Sequence, residues 1–187
     1  MIYPKKLNSK KVDLFLGVFS LTMIIISVIL LIINKLVTPG IWWSHICIIS
    51  FIYIYITARY SMTKAINVSG HVTFQTILIA ALVFFIDYRL GYLGWSINIA
   101  LPIIIIIANI TMFILTLINY KEYSRYAINQ LIIVLISFSM FYLIYKGYAE
   151  MSVLSIVALS ISVFNFVVSL ILCHKSFKEE IIKKLSL

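Results

Sequence analysis

The chain of 187 residues is 63% hydrophobic and only 11% charged, with a formal net charge of +9. Soluble domains carry about 25% charged residues, so this composition excludes a water-solvated globule. At about 20 apolar residues per span the length accommodates roughly six membrane helices and no separate soluble domain, so the expected fold is all-α, a polytopic bundle of six transmembrane helices.

A basic arm, 1–13, holds Lys5, Lys6, Lys10 and Lys11 and leads into a first span at 14–36. This run exceeds a secretory h-region and continues into Asn34, Lys35, Leu36 and Val37 without a small-x-small site, so it reads as a span and not a leader. Gly17, Ser20, Ser27 and Asn34 form a small-polar stripe along it. The second span, 41–58, opens with Trp42 and Trp43 and carries Cys47. Cys173, the other cysteine, falls at a different depth and no CxxC occurs, so neither a disulfide nor a redox site is expected.

The third span, 72–90, places Thr73, Thr76, Ala80 and Asp87 on one face. Asp87 is the only acidic residue within a predicted span, and an intramembrane carboxylate is a candidate ion or ligand site. It also lies ~22–24 Å from Val72 in a core of ~30 Å, near the boundary, which favours a structural anchor or a partner in an inter-helix network over a ligand or ion site. Arg89 points away from it as long as the helix continues.

The fourth span, 97–118, aligns Asn98, Pro102, Asn109 and Thr116; after a fifth span at 127–145, the sixth, 151–173, aligns Ser155, Ala158, Ser162, Asn165 and Ser169. Both stripes should face protein, because a buried amide or hydroxyl gains a hydrogen bond that lipid cannot offer, worth about 0.6–2 kcal/mol. Asn109, about 18 Å into its helix, is either such glue or a ligand contact. The tail, 174–187, spaces Phe177, Ile181 and Leu185 every fourth residue among lysines, the pattern of an amphipathic helix on anionic inner-leaflet lipid. Runs such as Ile103 to Ile107 are apolar on all sides, which excludes barrel strands.

Twelve of the fifteen Lys and Arg residues fall in the arm, the second and fourth gaps and the tail, leaving Lys35, Arg89 and Lys146 for the other gaps. The positive-inside rule then puts both termini in the cytoplasm of a cell membrane, and Trp42, Trp43 and Trp95 mark the opposite boundary. The same scatter, with no continuous aromatic-studded groove, argues against nucleic acid.

The three sparsely charged turns each run from a basic residue through glycine to a serine opening the next helix: Lys35, Gly40, Ser44; Arg89, Gly91, Ser96; Lys146, Gly147, Ser152. A 56-residue shift places Ser96 on Ser152 and Asn109 on Asn165. This reads as three tandem helical hairpins or, alternatively, as shared turn chemistry alone.

The string Asp-Tyr-Arg-Leu-Gly-Tyr-Leu-Gly-Trp-Ser-Ile-Asn-Ile-Ala-Leu-Pro from Asp87 to Pro102, with the Ile-rich run and Asn109 that follow, resembles an uncharacterised family of small six-helix membrane proteins of Gram-positive anaerobes. The likeness covers nearly the whole chain and implies the six-helix fold but no activity. Relatives often carry an N-terminal zinc ribbon; residues 1–11 contain no cysteine, so no metal role carries over.

No HExxH spacing joins His45, His71 and His174, and no histidine accompanies the mid-span serines, so catalysis, metal and cofactor are not expected. The leading functional expectation is a small-solute transport or ligand-binding membrane subunit, with Asp87, Arg89, Trp95, Asn98, Asn109 and Asn165 as candidate contacts. The alternative is a non-catalytic accessory, sensor or immunity protein that packs on another membrane protein.

Overall fold

A computed structural model describes residues 9–63, 68–118 and 123–172. Six helices follow in order: α1 Ser9–Val37, α2 Trp43–Thr63, α3 Val68–Arg89, α4 Leu101–Ile118, α5 Tyr123–Tyr145 and α6 Val153–Leu172, with a π-helical turn at Ser96–Ala100 leading into α4. No strand occurs among the described residues, in keeping with the all-α expectation. Ile-rich segments are poor helices in water, but a backbone in hydrocarbon must bond to itself.

Among the described residues five helical stretches are long and apolar enough to cross a membrane: Lys10–Val37, Trp43–Thr63, Val68–Arg89, Ser96–Ile118 and Ile128–Tyr145. Val153–Ser169 is a shorter apolar helix. Cys173, the amphipathic tail expected at 174–187, and the first eight residues of the basic arm lie outside the described residues.

The bundle is built around α4, which packs on α3, α5 and α6; α5 also packs on α3 and α6, α2 bridges to α3, and α1 packs chiefly on α2. Ile97, Ile105, Ala108 and Met112 meet Ile133, Met140 and Ile144 of α5 and Ala158 of α6 in the core. Gln130, Ile133, Ser137, Met140 and Ile144, buried on α5, alternate steps of three and four, the spacing of a helix seam, with Val134 buried beside Ile133. Aromatic packing joins α2 to α3, where Tyr60 stacks on Phe74 at 3.7 Å between centroids.

On α1 the pattern inverts. Leu21, Ile24, Val28, Ile32 and many neighbours are exposed, an apolar surface far beyond what water tolerates and suited to lipid. The small-polar stripe expected there does not act as a unit. Gly17 is exposed, and Ser20 and Ser27 donate to carbonyls of their own helix, Gly17 at 2.9 Å and Met23 at 2.7 Å. Of the four, Asn34 alone is buried, because α1 has one substantial neighbour.

Ala158 is fully buried where α6 meets the core. Ala158→Leu should therefore overpack the contact and destabilise the bundle by about 1–3 kcal/mol, read as a lower melting temperature in detergent, whereas Ile107→Leu on an exposed face should leave melting unchanged.

Candidate functional site

The helix ends joined by the three tight turns carry most of the special residues, and the construction starts at Asp87. Its side chain is fully buried. Oδ1 accepts from the Leu93 amide at 3.0 Å, and Oδ2 accepts from the Ser96 amide at 3.2 Å and the Ser96 hydroxyl at 2.7 Å. The carboxylate thus spans the turn and supplies an acceptor to donors at the start of the next helix, which a helix start needs. The turn itself is a Schellman motif: the Tyr92 amide bonds the Asp87 carbonyl at 2.9 Å and the Gly91 amide bonds Tyr88 at 3.3 Å. Gly91, Tyr92 and Gly94 all take positive φ, at 94°, 57° and 78°. Two of these suit glycine; Tyr92 accepts the left-handed strain, and its hydroxyl reaches the Tyr148 carbonyl of the α5–α6 turn at 2.9 Å. Burial, then the charges of Asp87 and Tyr148, hold the Tyr92 phenol above its usual 10.0, so it stays a donor.

The α5–α6 turn repeats the backbone motif. Tyr148 bonds the Leu143 carbonyl at 3.1 Å and Gly147 bonds Ile144 at 2.9 Å, with Gly147 at φ 79°. Leu143 stands where Asp87 would be, so no carboxylate occupies that position. Ser152 Oγ caps α6 by accepting from the Ser155 amide at 3.2 Å, and further acceptors come from Asn98, whose Oδ1 takes the Glu150 amide at 3.0 Å and whose carbonyl takes the Ser152 hydroxyl at 3.2 Å. That carbonyl is free because Pro102, four residues on, has no N–H to return. The helix widens there into the π turn, closed by the Leu101 amide on Ser96.

The α1–α2 turn reaches the same end with a neutral acceptor. Asn34 Oδ1 accepts from the Ser44 amide at 3.1 Å and hydroxyl at 2.7 Å, while its Nδ2 donates to the carbonyls of Thr38 at 2.8 Å and Ile41 at 2.6 Å. Beside it opens a recess of about 370 Å³ lined by Leu31, Asn34, Lys35, Pro39, Trp42, Ser44 and His45. The Trp42 ring lies edge-on to His45 at 4.9 Å, and the Arg89 guanidinium sits 5.3 Å over the same ring. Two buried nitrogens here, His45 Nδ1 and Arg89 Nε, have no hydrogen-bond partner among the described residues.

Deeper in the bundle, Asn109 is fully buried and joins three helices. Its Nδ2 donates to Ser162 of α6 at 2.8 Å, and its Oδ1 accepts from Gln130 of α5 at 2.6 Å. Asn165 donates to the Asn109 carbonyl at 3.0 Å, and the Ser137 and Ser162 hydroxyls lie 2.7 Å apart. The adjoining space, edged by Met112, Thr116, Gln130, Asn165 and Ser169, is about 10 Å³, room for one water at most.

The candidates thus separate. Asp87 and Asn98 bind turns, Asn109 and Asn165 bind each other, and Arg89 turns to Trp42 instead of Asp87. The Trp95 side chain enters none of the hydrogen bonds among the described residues. Sequence reasoning passed over Gln130, although its seven-residue spacing to Ser137 marks a shared face, and over the pairing of Asn34 with Ser44. It also passed over Gln75, which accepts from Tyr53 at 2.9 Å and donates to Thr57 at 3.2 Å to tie α3 to α2. Among the described residues no three His, Cys, Asp or Glu side chains converge as a metal would require.

Residues 3–187 match the Family of unknown function (DUF6320), and the chain belongs to that family. No curated protein and no solved structure matches it.

Asp87→Leu removes the acceptor for three donors and should cost about 3 kcal/mol or more, whereas Asp87→Asn keeps one acceptor oxygen and should cost less. In the core, Asn109→Leu and Gln130→Leu should each lower the melting temperature, with a double variant less damaged than the sum, as a shared hydrogen bond requires.

Proposed function

We propose that this member of a family of unknown function is a multi-pass membrane protein with both termini in the cytoplasm, and that it binds a small solute in the recess beside the α1–α2 turn. The observation that carries the reading is the convergence of Lys35, Trp42 and His45 on a recess of about 370 Å³, within the size range of small-molecule sites. The polar residues of the core speak against a solute path there, because they are occupied by one another and leave about 10 Å³. Orientation rests on the twelve-to-three partition of Lys and Arg and puts the recess on the non-cytoplasmic side.

A second reading, an accessory protein acting on another membrane protein, draws on α1, which packs chiefly on α2 and leaves long apolar faces uncovered. Lipid covers those faces equally well, so ligand binding is the better supported of the two.

Thermal-shift screening of detergent-purified protein against small solutes should yield a stabilising ligand whose effect disappears in Trp42→Ala and persists in Arg59→Gln. A screen without any stabilising solute would count against the reading. Introduced single cysteines at Tyr148 and Ser186 should react with an impermeant maleimide from opposite sides of the membrane.

A further inference from the structure

The recess beside the α1–α2 turn offers its occupant a restricted chemistry. Asn34 and Ser44 line it, but they are bound to each other, and both hydrogens of the Asn34 amide are taken by Thr38 and Ile41. The side-chain polar groups of the lining not bonded elsewhere among the described residues are the Lys35 ammonium, the Trp42 indole N–H and the His45 imidazole, whose Nδ1 is buried. Among the described residues no acidic side chain lines the recess, and the nearby Arg89 cation rests on the Trp42 ring that forms a wall. Asp87, two residues from Arg89, is fully buried and committed to Leu93 and Ser96. A cationic ligand would therefore meet uncompensated positive charge, whereas an anion would be held by Lys35.

The remaining walls are the apolar side chains of Leu31 and Pro39 and the carbon framework of Trp42. Leu31 continues down α1 through Val28 and Ile24, three and seven residues earlier and so on the same face. These side chains are 40%, 50% and 60% exposed, a bare apolar ridge running away from the recess. A head bound at Lys35 thus has a track for a hydrocarbon chain directly below it.

We propose that the recess takes an anionic amphiphile, a carboxylate or phosphate head seated against Lys35 and His45 with its chain along Leu31, Val28 and Ile24. This rests on the recess being a ligand site and adds the chemistry of the occupant. That chemistry belongs both to an anionic phospholipid of the bilayer and to a fatty-acid-type anion from solution.

The test is native mass spectrometry and thermal shift of the full chain in neutral detergent, titrated with phosphatidylglycerol, phosphatidylcholine, octanoate and octylamine. Phosphatidylglycerol, octanoate or both should bind; binding of the first alone identifies a bilayer lipid, and of the second alone a solution anion. Lys35→Gln, at an exposed position, should leave unliganded melting unchanged and weaken binding about tenfold, the loss of one charged hydrogen bond. Raised salt should weaken it as well. Equal binding of phosphatidylcholine or octylamine, or full retention in Lys35→Gln, overturns the assignment of charge. If another solute still requires Trp42, the ligand site stands and only its anionic chemistry falls; if no compound binds and Trp42→Ala changes nothing, both fall.

Discussion

The amide of Asn109 lies where neither water nor lipid offers it a partner, and the packing of three helices is arranged to supply them. Its nitrogen is held by α6 and its oxygen by α5, and its backbone carbonyl takes a further bond from Asn165. An unpaired amide in such surroundings costs several kcal/mol, so the helices have few alternative rotations that keep every group satisfied. The apolar residues around it, Ile105, Met112, Ile133 and Met140, fill volume, but packing alone between greasy cylinders discriminates weakly among rotations. Hydrogen bonding therefore sets the orientation and dispersion consolidates it.

The same accounting explains the turns. Each helix that follows a tight turn starts with amides in need of acceptors, and each turn finds them differently: Asn34 for α2, Asp87 for the start of the π turn, and Asn98 from a neighbouring hairpin for the approach to α6. A carboxylate accepts but cannot donate, so the Asp87 turn presents amide hydrogens to it. The Asn34 turn also folds two carbonyls back onto the amide nitrogen. One net charge thus separates two turns that serve the same mechanical purpose.

Much of this was legible in residue spacing. Helix number, the protein-facing stripes of α4 and α6, and the 56-residue relation between Asn109 and Asn165 all follow from periodicity, and the last pair turns out to be in direct contact. The likeness of the second and third turns has a physical basis in a shared Schellman motif, with Gly91 and Gly147 in the left-handed region; Gly40 in the first turn is not part of one. What spacing did not disclose is who partners whom. Asp87 is acidic and within a span, the usual mark of an ion or ligand site, yet its lone pairs are claimed by residues only six and nine positions away. Sequence distance concealed the converse at the α1–α2 turn, where Lys35, Trp42 and His45 are unexceptional boundary residues until folding closes a recess around them.

Pro102 has a mechanical meaning beyond its missing donor. By freeing the Asn98 carbonyl to hold Ser152, it keys the axial position of α6 against α4, much as a notch stops a bolt from sliding. Piston-like displacement of α6 would strip that carbonyl and part Asn98 from Glu150 together. The last hairpin is thereby fixed against α4 at its turn, whereas α1 is tied to the bundle chiefly through α2 and the Asn34–Ser44 bonds.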